Sequence, residues 1–326
     1  MELNIEKFVG KKIVVTGAAG FIGSHLTEGL LDAGAEVIGI DNLYNGLLSN
    51  LEIKALKNPK FTFYQADVID GTFLTEIFKG IDLIYHEGAF ISVHQSTKMP
   101  TYCNEVNITG TLNVLNAARI NDVEQVIFAS SAALYSDDVE LPKHEKMMRG
   151  PKTPYGVSKL AGETYLLSFF DTYGLKTTPL RYFNVYGPRQ RNTAYAGVMA
   201  LFIENIFKKE QEPTIFGDGS QTRDFVYVKD VVKANMMVAF NPNAYGEIFN
   251  VATGNAIDIK KLTNLILKYT EREDMTIHYG PKRAGDILHS YADISKIKDK
   301  IGFEPDYSIE RGVKEYIEEL KKIYIK

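Results

Sequence analysis

The chain is poor in several things, and each shortage closes off a class of protein. It has a single cysteine, Cys103, so no internal disulfide can form and a reducing compartment suits it. No apolar run approaches the ~18 residues that a membrane span needs, so no membrane partner is expected. Basic residues are not in excess: 37 Lys and Arg stand against 41 Asp and Glu, a formal net charge of −4. Lys and Arg form no long blocks, and the basic C-terminal end from Lys321 to Lys326 is short, so no nucleic-acid partner is expected. No His/Cys cluster has metal-ligand spacing and no Gly-x-Ser-x-Gly elbow is present, so neither a metal nor a hydrolase nucleophile is expected. The segment Met1–Lys7 lacks the pattern of a secretory signal, and a cytoplasmic location is expected. There are no repeats or low-complexity stretches. What remains is ordinary: 326 residues, 45% hydrophobic and 24% charged, enough for a large core and two lobes.

The most informative stretch runs from Val15 to His25. An apolar strand, Lys12 to Val15, leads into Thr16-Gly17-Ala18-Ala19-Gly20-Phe21-Ile22-Gly23, and Leu26, Leu30 and Leu31 follow at helical spacing. Strand, glycine turn and helix in that order form a dinucleotide cradle. Gly17 permits the tight turn, Gly20 a close backbone approach to a pyrophosphate, and Gly23 close helix–strand packing. The helix N-terminus then offers free N–H groups and a partial positive charge to the phosphates. A second apolar strand, Glu36 to Ile40, ends in Asp41, 18 residues after Gly23, where an acid binds ribose hydroxyls. A carboxylate there favours NAD over NADP. Asp67, closing the strand from Phe61 to Ala66, is a candidate for the adenine amino group.

Strand-like runs near 12–15, 36–40, 61–65, 82–86 and 125–129 alternate with helical stretches such as Val106 to Ala118. This alternation predicts a doubly wound parallel α/β sheet with ligands at the carboxyl ends of its strands. The second half is less regular. Arg181 to Arg191 is rich in aromatics and turn residues, and Ile215 to Asp224 is a polar Gly/Asp loop, as expected of a smaller lobe closing over a substrate. The expected division is residues 1–180, with a return segment near 225–250, and residues 181–326.

Thr153 is a good N-cap and Pro154 a good first residue for a helix that carries Tyr155 and Lys159 at i and i+4, on one face and roughly 5–6 Å apart at Cβ. A phenol of pKa about 10 is a poor base at neutral pH. A neighbouring ammonium is expected to lower that value, and a nicotinamide cation to lower it further. Such a base could take a hydroxyl proton as hydride leaves the same carbon. Ser130 and Ser131, directly after the fifth strand, are placed to hydrogen-bond a reacting carbonyl. His25 and His86 are read as structural.

With these residues in place, the chain resembles the extended short-chain dehydrogenase/reductase family, and within it the nucleotide-sugar 4-epimerases. The resemblance spans about residues 10–320. Its motifs are Thr16-Gly17-x-x-Gly20-x-x-Gly23, Asp41-Asn42, Asp67-Val68, Asn107-x-x-Gly110-Thr111, Ser130-Ser131, Tyr155-x-x-x-Lys159, Arg181 through Arg189, Gly217-Asp218-Gly219-x-x-x-Arg223-Asp224-Phe225 and Arg283-Ala284-Gly285-Asp286. It implies a Rossmann-type NAD domain with a smaller α/β substrate lobe. In that pattern Tyr155 is the base, Lys159 holds the nicotinamide ribose, and Ser131 binds the reacting oxygen. Asn184, Arg223 and Arg283 bind the nucleotide diphosphate, the Ile215-Phe216-Gly217 edge pairs with uracil, and Asn107 supports the site by backbone hydrogen bonds. The implied reaction inverts C4 of a UDP-sugar through a 4-keto intermediate that turns about its diphosphate linkage.

Three departures bear on substrate and chemistry. The family's His-x-Ala-Ala stands here as His86-Glu87-Gly88-Ala89, which leaves Glu87 without a role. Tyr135 is followed by Ser136 rather than Gly. Dehydratases carry an Asp-Glu pair where this chain has Ala132 and Ala133, so elimination of water is not expected. Ser290 occupies the position that gates the sugar pocket, and the Tyr195–Val198 loop resembles that of N-acetylhexosamine epimerases. Both imply room for UDP-GlcNAc and UDP-GalNAc beside UDP-Glc and UDP-Gal. The alternatives are a UDP-glucuronate 4-epimerase or decarboxylase, an oxidoreductase with net nicotinamide turnover, and a non-catalytic NAD-sensing module. Apolar residues on several faces of the helices at 106–118 and 155–170 (Leu160, Tyr165, Leu166, Leu167, Phe169, Phe170) imply a homodimer.

Overall fold

The computed structural model describes residues 3–136, 140–191, 198–282 and 288–324. Strands β1 (Lys12–Thr16), β2 (Glu36–Asp41), β3 (Phe61–Gln65), β4 (Leu83–His86), β5 (Gln125–Ser131) and β6 (Lys176–Tyr182) occupy the first half. The second half adds β7 (Asn184–Tyr186), β8 (Thr214–Phe216), β9 (Thr222–Arg223), β10 (Phe225–Tyr227), β11 (Phe249–Val251), β12 (Ile257–Asp258), β13 (His278–Gly280) and β14 (His289–Ser290). Seven strands form one sheet in the order β11-β6-β5-β4-β1-β2-β3, with every neighbouring pair parallel.

Alternate side chains of a strand point to opposite faces, and here both faces are covered. Ile13 and Val15 of β1 join a core with Leu26 and Leu30 from helix Phe21–Asp32 and Val231 from helix Val228–Val238, whereas Val14 joins Leu74, Leu115 and Leu166 on the other side. Burial on both sides explains why these strands read as continuous apolar runs.

The sequence does not mark β6. Pro179 lies inside it, and proline argues against a central strand because it cannot donate to a ladder. The structure resolves the conflict by pairing only Leu180–Tyr182 with β11, so Pro179 falls outside that short ladder. Arg181 and Tyr182, expected to open the turn-rich lobe, therefore belong to the sheet. Helix Val228–Val238 and β11, in the expected return segment, come back to this half, and Ile297, Ile301 and Phe303 join the same core. The smaller lobe has its own core, with Phe202, Ile215, Tyr227, Leu262 and Ile317 among its members.

Strand order reverses between β1 and β4. In such a sheet the crevice outside the carboxyl ends at that point receives the ligand.

Candidate active site

A cleft of about 710 Å³ opens at this reversal and runs between the two lobes. The glycine turn forms its floor. Gly17 has φ +70°, and a Cβ there would lie 2.7 Å from the Gly88 backbone nitrogen, so only glycine allows the turns after β1 and β4 to meet. A Cβ on Gly23 would lie 2.1 Å from the Gly17 carbonyl, which is how closely the helix sits on the turn. Gly20, the N-cap of helix Phe21–Asp32, has no side chain with which to cap it. Its first-turn N–H groups therefore face the cleft, and Gly20, Phe21, Ile22 and Gly23 all line it.

Asp41 ends β2 beside this turn and is buried. Its carboxylate accepts the Ala19 N–H at 3.0 Å and the Leu43 N–H at 2.8 Å. Burial pushes its pKa above the usual range, and these bonds oppose the shift. A carboxylate has about four acceptor positions, so two bonds leave capacity for a diol. Asn42 donates to Asp67 at 2.6 Å, and Asp67 also accepts the Ile69 N–H. Asp41, Asn42, Asp67 and Val68 all line this end of the cleft, and Tyr44, Phe90 and Tyr102 form an aromatic cluster beside them that the sequence did not mark. A glycine turn at the reversal, free helix N–H groups and a ribose-side carboxylate are the fittings of a dinucleotide site, and the residues present fit NAD.

At the other end Ser131, Tyr155 and Lys159 line the same wall. Thr153 caps helix Pro154–Tyr173, its hydroxyl accepting the Gly156 N–H, as the sequence predicts. Ser131 Oγ accepts the Ala133 N–H at 3.1 Å and hydrogen-bonds the Tyr155 phenol. Lys159 Nζ donates to the Ala129 carbonyl at 2.7 Å and lies 4.8 Å from the centre of the Phe128 ring. Burial pulls the lysine down to about 8, with Glu87 opposing. The tyrosine does not behave as the spacing suggested. In the protein alone, burial pushes its phenol up, the Ser131 bond lowers it, and Cys103 and Glu87 raise it further. Burial dominates, and the same burial lowers Lys159, so the lysine loses its charge before the phenol ionises.

Asn107 is buried and is not among the residues that line the cleft. Its side-chain oxygen accepts the Phe90 N–H at 2.7 Å, and its amide donates to the Phe90 carbonyl at 3.0 Å and to Ser158 Oγ at 2.9 Å. Ser158 in turn donates to the Tyr155 carbonyl at 2.8 Å. Asn107 thus ties the backbone at Phe90 to the helix that carries Tyr155 and Lys159. His86 is buried between Thr16 and Thr111 and pushed down to about 3, and His25 meets the Pro188 carbonyl at 3.0 Å. Both are structural.

From the smaller lobe Asn184, Val198, Phe216, Arg223 and Ser290 face the cleft. Asn184 donates to the Asp224 carbonyl at 2.8 Å. The Phe216 carbonyl accepts the Gln221 side chain at 2.9 Å, so that edge is already partly engaged, and Gln221 itself lines the cleft. Arg283, Asp286 and the Tyr195–Gly197 part of the loop lie outside the described residues. The sequence also missed Lys143, which is buried and lines the cleft, and the partner of Glu87, which is Tyr182.

A doubly wound sheet with a dinucleotide cradle and a Ser–Tyr–Lys wall defines a nucleotide-cofactor enzyme of the short-chain dehydrogenase/reductase class. The profile of the NAD dependent epimerase/dehydratase family matches residues 13–252, and the chain belongs to that family. It is 39% identical over 311 residues to a putative UDP-glucose 4-epimerase of Methanocaldococcus jannaschii, covering 95% of this chain and 98% of that one. The structure of UDP-glucose 4-epimerase with UDP-glucose from Thermotoga maritima matches with a TM-score of 0.89 at 38% identity, covering 96% and 99%. UDP-N-acetylglucosamine 4-epimerase from Methanobrevibacter ruminantium, in complex with UDP-N-acetylmuramic acid, matches with a TM-score of 0.91 at 39% identity, covering 97% and 99%.

Proposed function

We propose that the protein inverts C4 of UDP-hexoses, interconverting UDP-Glc with UDP-Gal and UDP-GlcNAc with UDP-GalNAc, with NAD as its resident cofactor. The observation that carries this reading is one cleft with a dinucleotide cradle at one end, Ser131, Tyr155 and Lys159 at the other, and Asn184 and Arg223 facing them from the second lobe. When bound, NAD supplies a reversible hydride acceptor. Tyr155 takes the proton of the sugar 4-hydroxyl and returns it, and Ser131 hydrogen-bonds the reacting oxygen. Lys159 and Asp41 orient the two riboses, and Asp67 and Val68 border the adenine. Asn184 and Arg223, joined by Arg283, hold the diphosphate, since planar guanidinium donors fork onto phosphate oxygens. Ala132 and Ala133 supply no acid or base for elimination. Incubating the purified protein with each UDP-sugar and resolving the products tests the reading. C4 epimers with no net NADH support it, and conversion of UDP-glucuronate alone would overturn it.

Pocket size sets the range of sugars. Ser290 is buried on the cleft wall, held by a bond from the Asp224 N–H to its carbonyl at 3.0 Å. Ser290→Tyr is expected to abolish turnover of N-acetylated sugars and keep that of UDP-Glc and UDP-Gal. Equal loss of both, in the same product assay, would contradict the gating role.

The protein acts as a cytoplasmic homodimer in this reading. Among the described residues no helix is long and apolar enough to cross a membrane. Of the helix residues singled out in the sequence, Leu166 and Phe169 pack on the sheet, whereas Tyr165 is exposed, as are Val157, Ile120 and Tyr173 on the same two helices. Sedimentation is expected to give twice the chain mass of 36.6 kDa, and a single-chain mass would contradict it.

A further inference from the structure

One charged side chain in the cleft wall has no part in the chemistry above. Glu87 follows β4 at the strand reversal, between the glycine turn and the Tyr155–Lys159 pair. Its N–H donates to the Thr16 carbonyl at 3.2 Å, which anchors its backbone beside the cradle. Its carboxylate accepts the Tyr182 phenol at 2.7 Å, and the Tyr182 oxygen accepts the Asn235 amide at 2.7 Å. Asn235 is held in turn by the Val231 carbonyl at 2.9 Å. A buried relay through β6 and helix Val228–Val238 thus fixes where this carboxylate points. The titratable groups that feel it are Lys159 and Tyr155 on the catalytic helix, Tyr85 on β4 and Tyr182 on β6. Burial pushes Glu87 up to about 7, opposed by the Tyr182 bond and by Lys159.

We propose that Glu87, held by Tyr182 and Asn235, places a fixed negative charge against the nicotinamide end of the cleft. This charge favours the oxidised cofactor, so that the 4-keto sugar is reduced before it escapes. The proposal rests on the epimerase reading. An oxidised nicotinamide ring is a cation and its reduced form is neutral, so a nearby carboxylate stabilises the oxidised form. The overall balance is unchanged. Two electrons and a hydrogen leave sugar C4 as hydride and come back, and the hydroxyl proton waits on Tyr155. No external oxidant or reductant enters.

Glu87→Gln keeps the acceptor for Tyr182 and removes the charge. The purified holoenzyme is mixed with saturating UDP-glucose. The reduced fraction of its nicotinamide is read by near-ultraviolet absorbance, against total cofactor released by acid. Above pH 7 the reduced-to-oxidised ratio is expected to rise by roughly tenfold over wild type, the effect of one charge on the scale of a one-unit pKa shift. Well below pH 7, where Glu87 is itself protonated, the variant-to-wild-type quotient should fall toward one, and this quotient cancels the proton released by the oxidation. An unchanged ratio at all pH values would overturn the proposal. Should Glu87→Gln fail to load cofactor, Tyr182→Phe retains the carboxylate and removes a bond that favours its ionised form. The pH at which the reduced fraction changes is then expected to move upward, and no movement would overturn the proposal. A wild-type holoenzyme that produces no C4 epimer contradicts the epimerase reading itself and is seen before either variant is compared.

Discussion

Tyr155→Phe is expected to lower kcat by about 10³-fold, within the range for loss of a positioned acid–base group, while cofactor content and melting temperature stay near wild type. The phenol oxygen meets Ser131, and the helix around it is held by other contacts: the Tyr155 N–H donates to Ser96 Oγ at 3.1 Å, and Ser158 donates to the Tyr155 carbonyl. Removing one oxygen therefore leaves the scaffold intact and takes away the proton acceptor. The same geometry fixes the pH dependence. Burial holds the phenol protonated beyond neutrality in the protein alone, and the reaction needs it deprotonated. The rate should rise with pH as the phenol ionises, a change that the positive charge of the bound cofactor assists. Product assays across pH, with acid release of cofactor as the control, check both points. A Phe variant that keeps wild-type kcat would remove the base from the account.

Glu163→Gln is expected to cost about 3–5 kcal/mol of stability, the penalty for leaving a buried charge without its partner. Arg181 and Glu163 have no exposed surface on either side chain. Arg181 Nε donates to Glu163 Oε2 at 2.9 Å and its Nη2 to Oε1 at 2.6 Å. The remaining nitrogen, Nη1, donates to the Tyr135 hydroxyl at 2.8 Å and to the Glu145 carbonyl at 3.1 Å. The Tyr135 hydroxyl donates in turn to Asn250 Oδ1 at 2.7 Å, and Ser130 donates to Glu163 at 3.1 Å. This network ties β5, β6, β11 and the catalytic helix together one residue from Ser131. A neutral amide cannot compensate the guanidinium, and Arg181 cannot shed its proton. Urea unfolding should show a lower midpoint with an unchanged slope. The double replacement Glu163→Leu with Arg181→Met should recover most of the loss, because well-packed apolar residues can replace a buried ion pair. A single variant as stable as wild type would contradict this picture of the pair.

Much of the fold and of the cradle was legible because it follows from local rules. The β1 glycine turn announces itself, since three glycines at that spacing serve a φ of +70° and two close backbone approaches. The buried strands show as apolar runs because both faces are covered, and Thr153-Pro154 marks a helix start through capping chemistry. What was hidden depends on partners far away in the chain. Asn107 reads as a support of the site, but its partners Phe90 and Ser158 show only in the folded chain. Glu87 has no meaning without Tyr182, which lies 95 positions further on. Arg181 reads as part of a turn-rich lobe because Pro179 disguises the strand, and its buried partner is invisible in linear sequence. The proton affinity of Tyr155 in the protein alone was hidden for a related reason. Helical spacing shows that Lys159 is near, but not that burial raises the phenol and lowers the lysine together.

The central claim is that C4 is oxidised and reduced again by a cofactor that never leaves the protein. The most direct test is conversion of UDP-glucose carrying deuterium at C4, in ordinary water, with the purified holoenzyme. Nuclear magnetic resonance of the product should show UDP-galactose with the deuterium still at C4 and none in the solvent. Loss of the label to water, with protium at C4 of the product, would contradict the account.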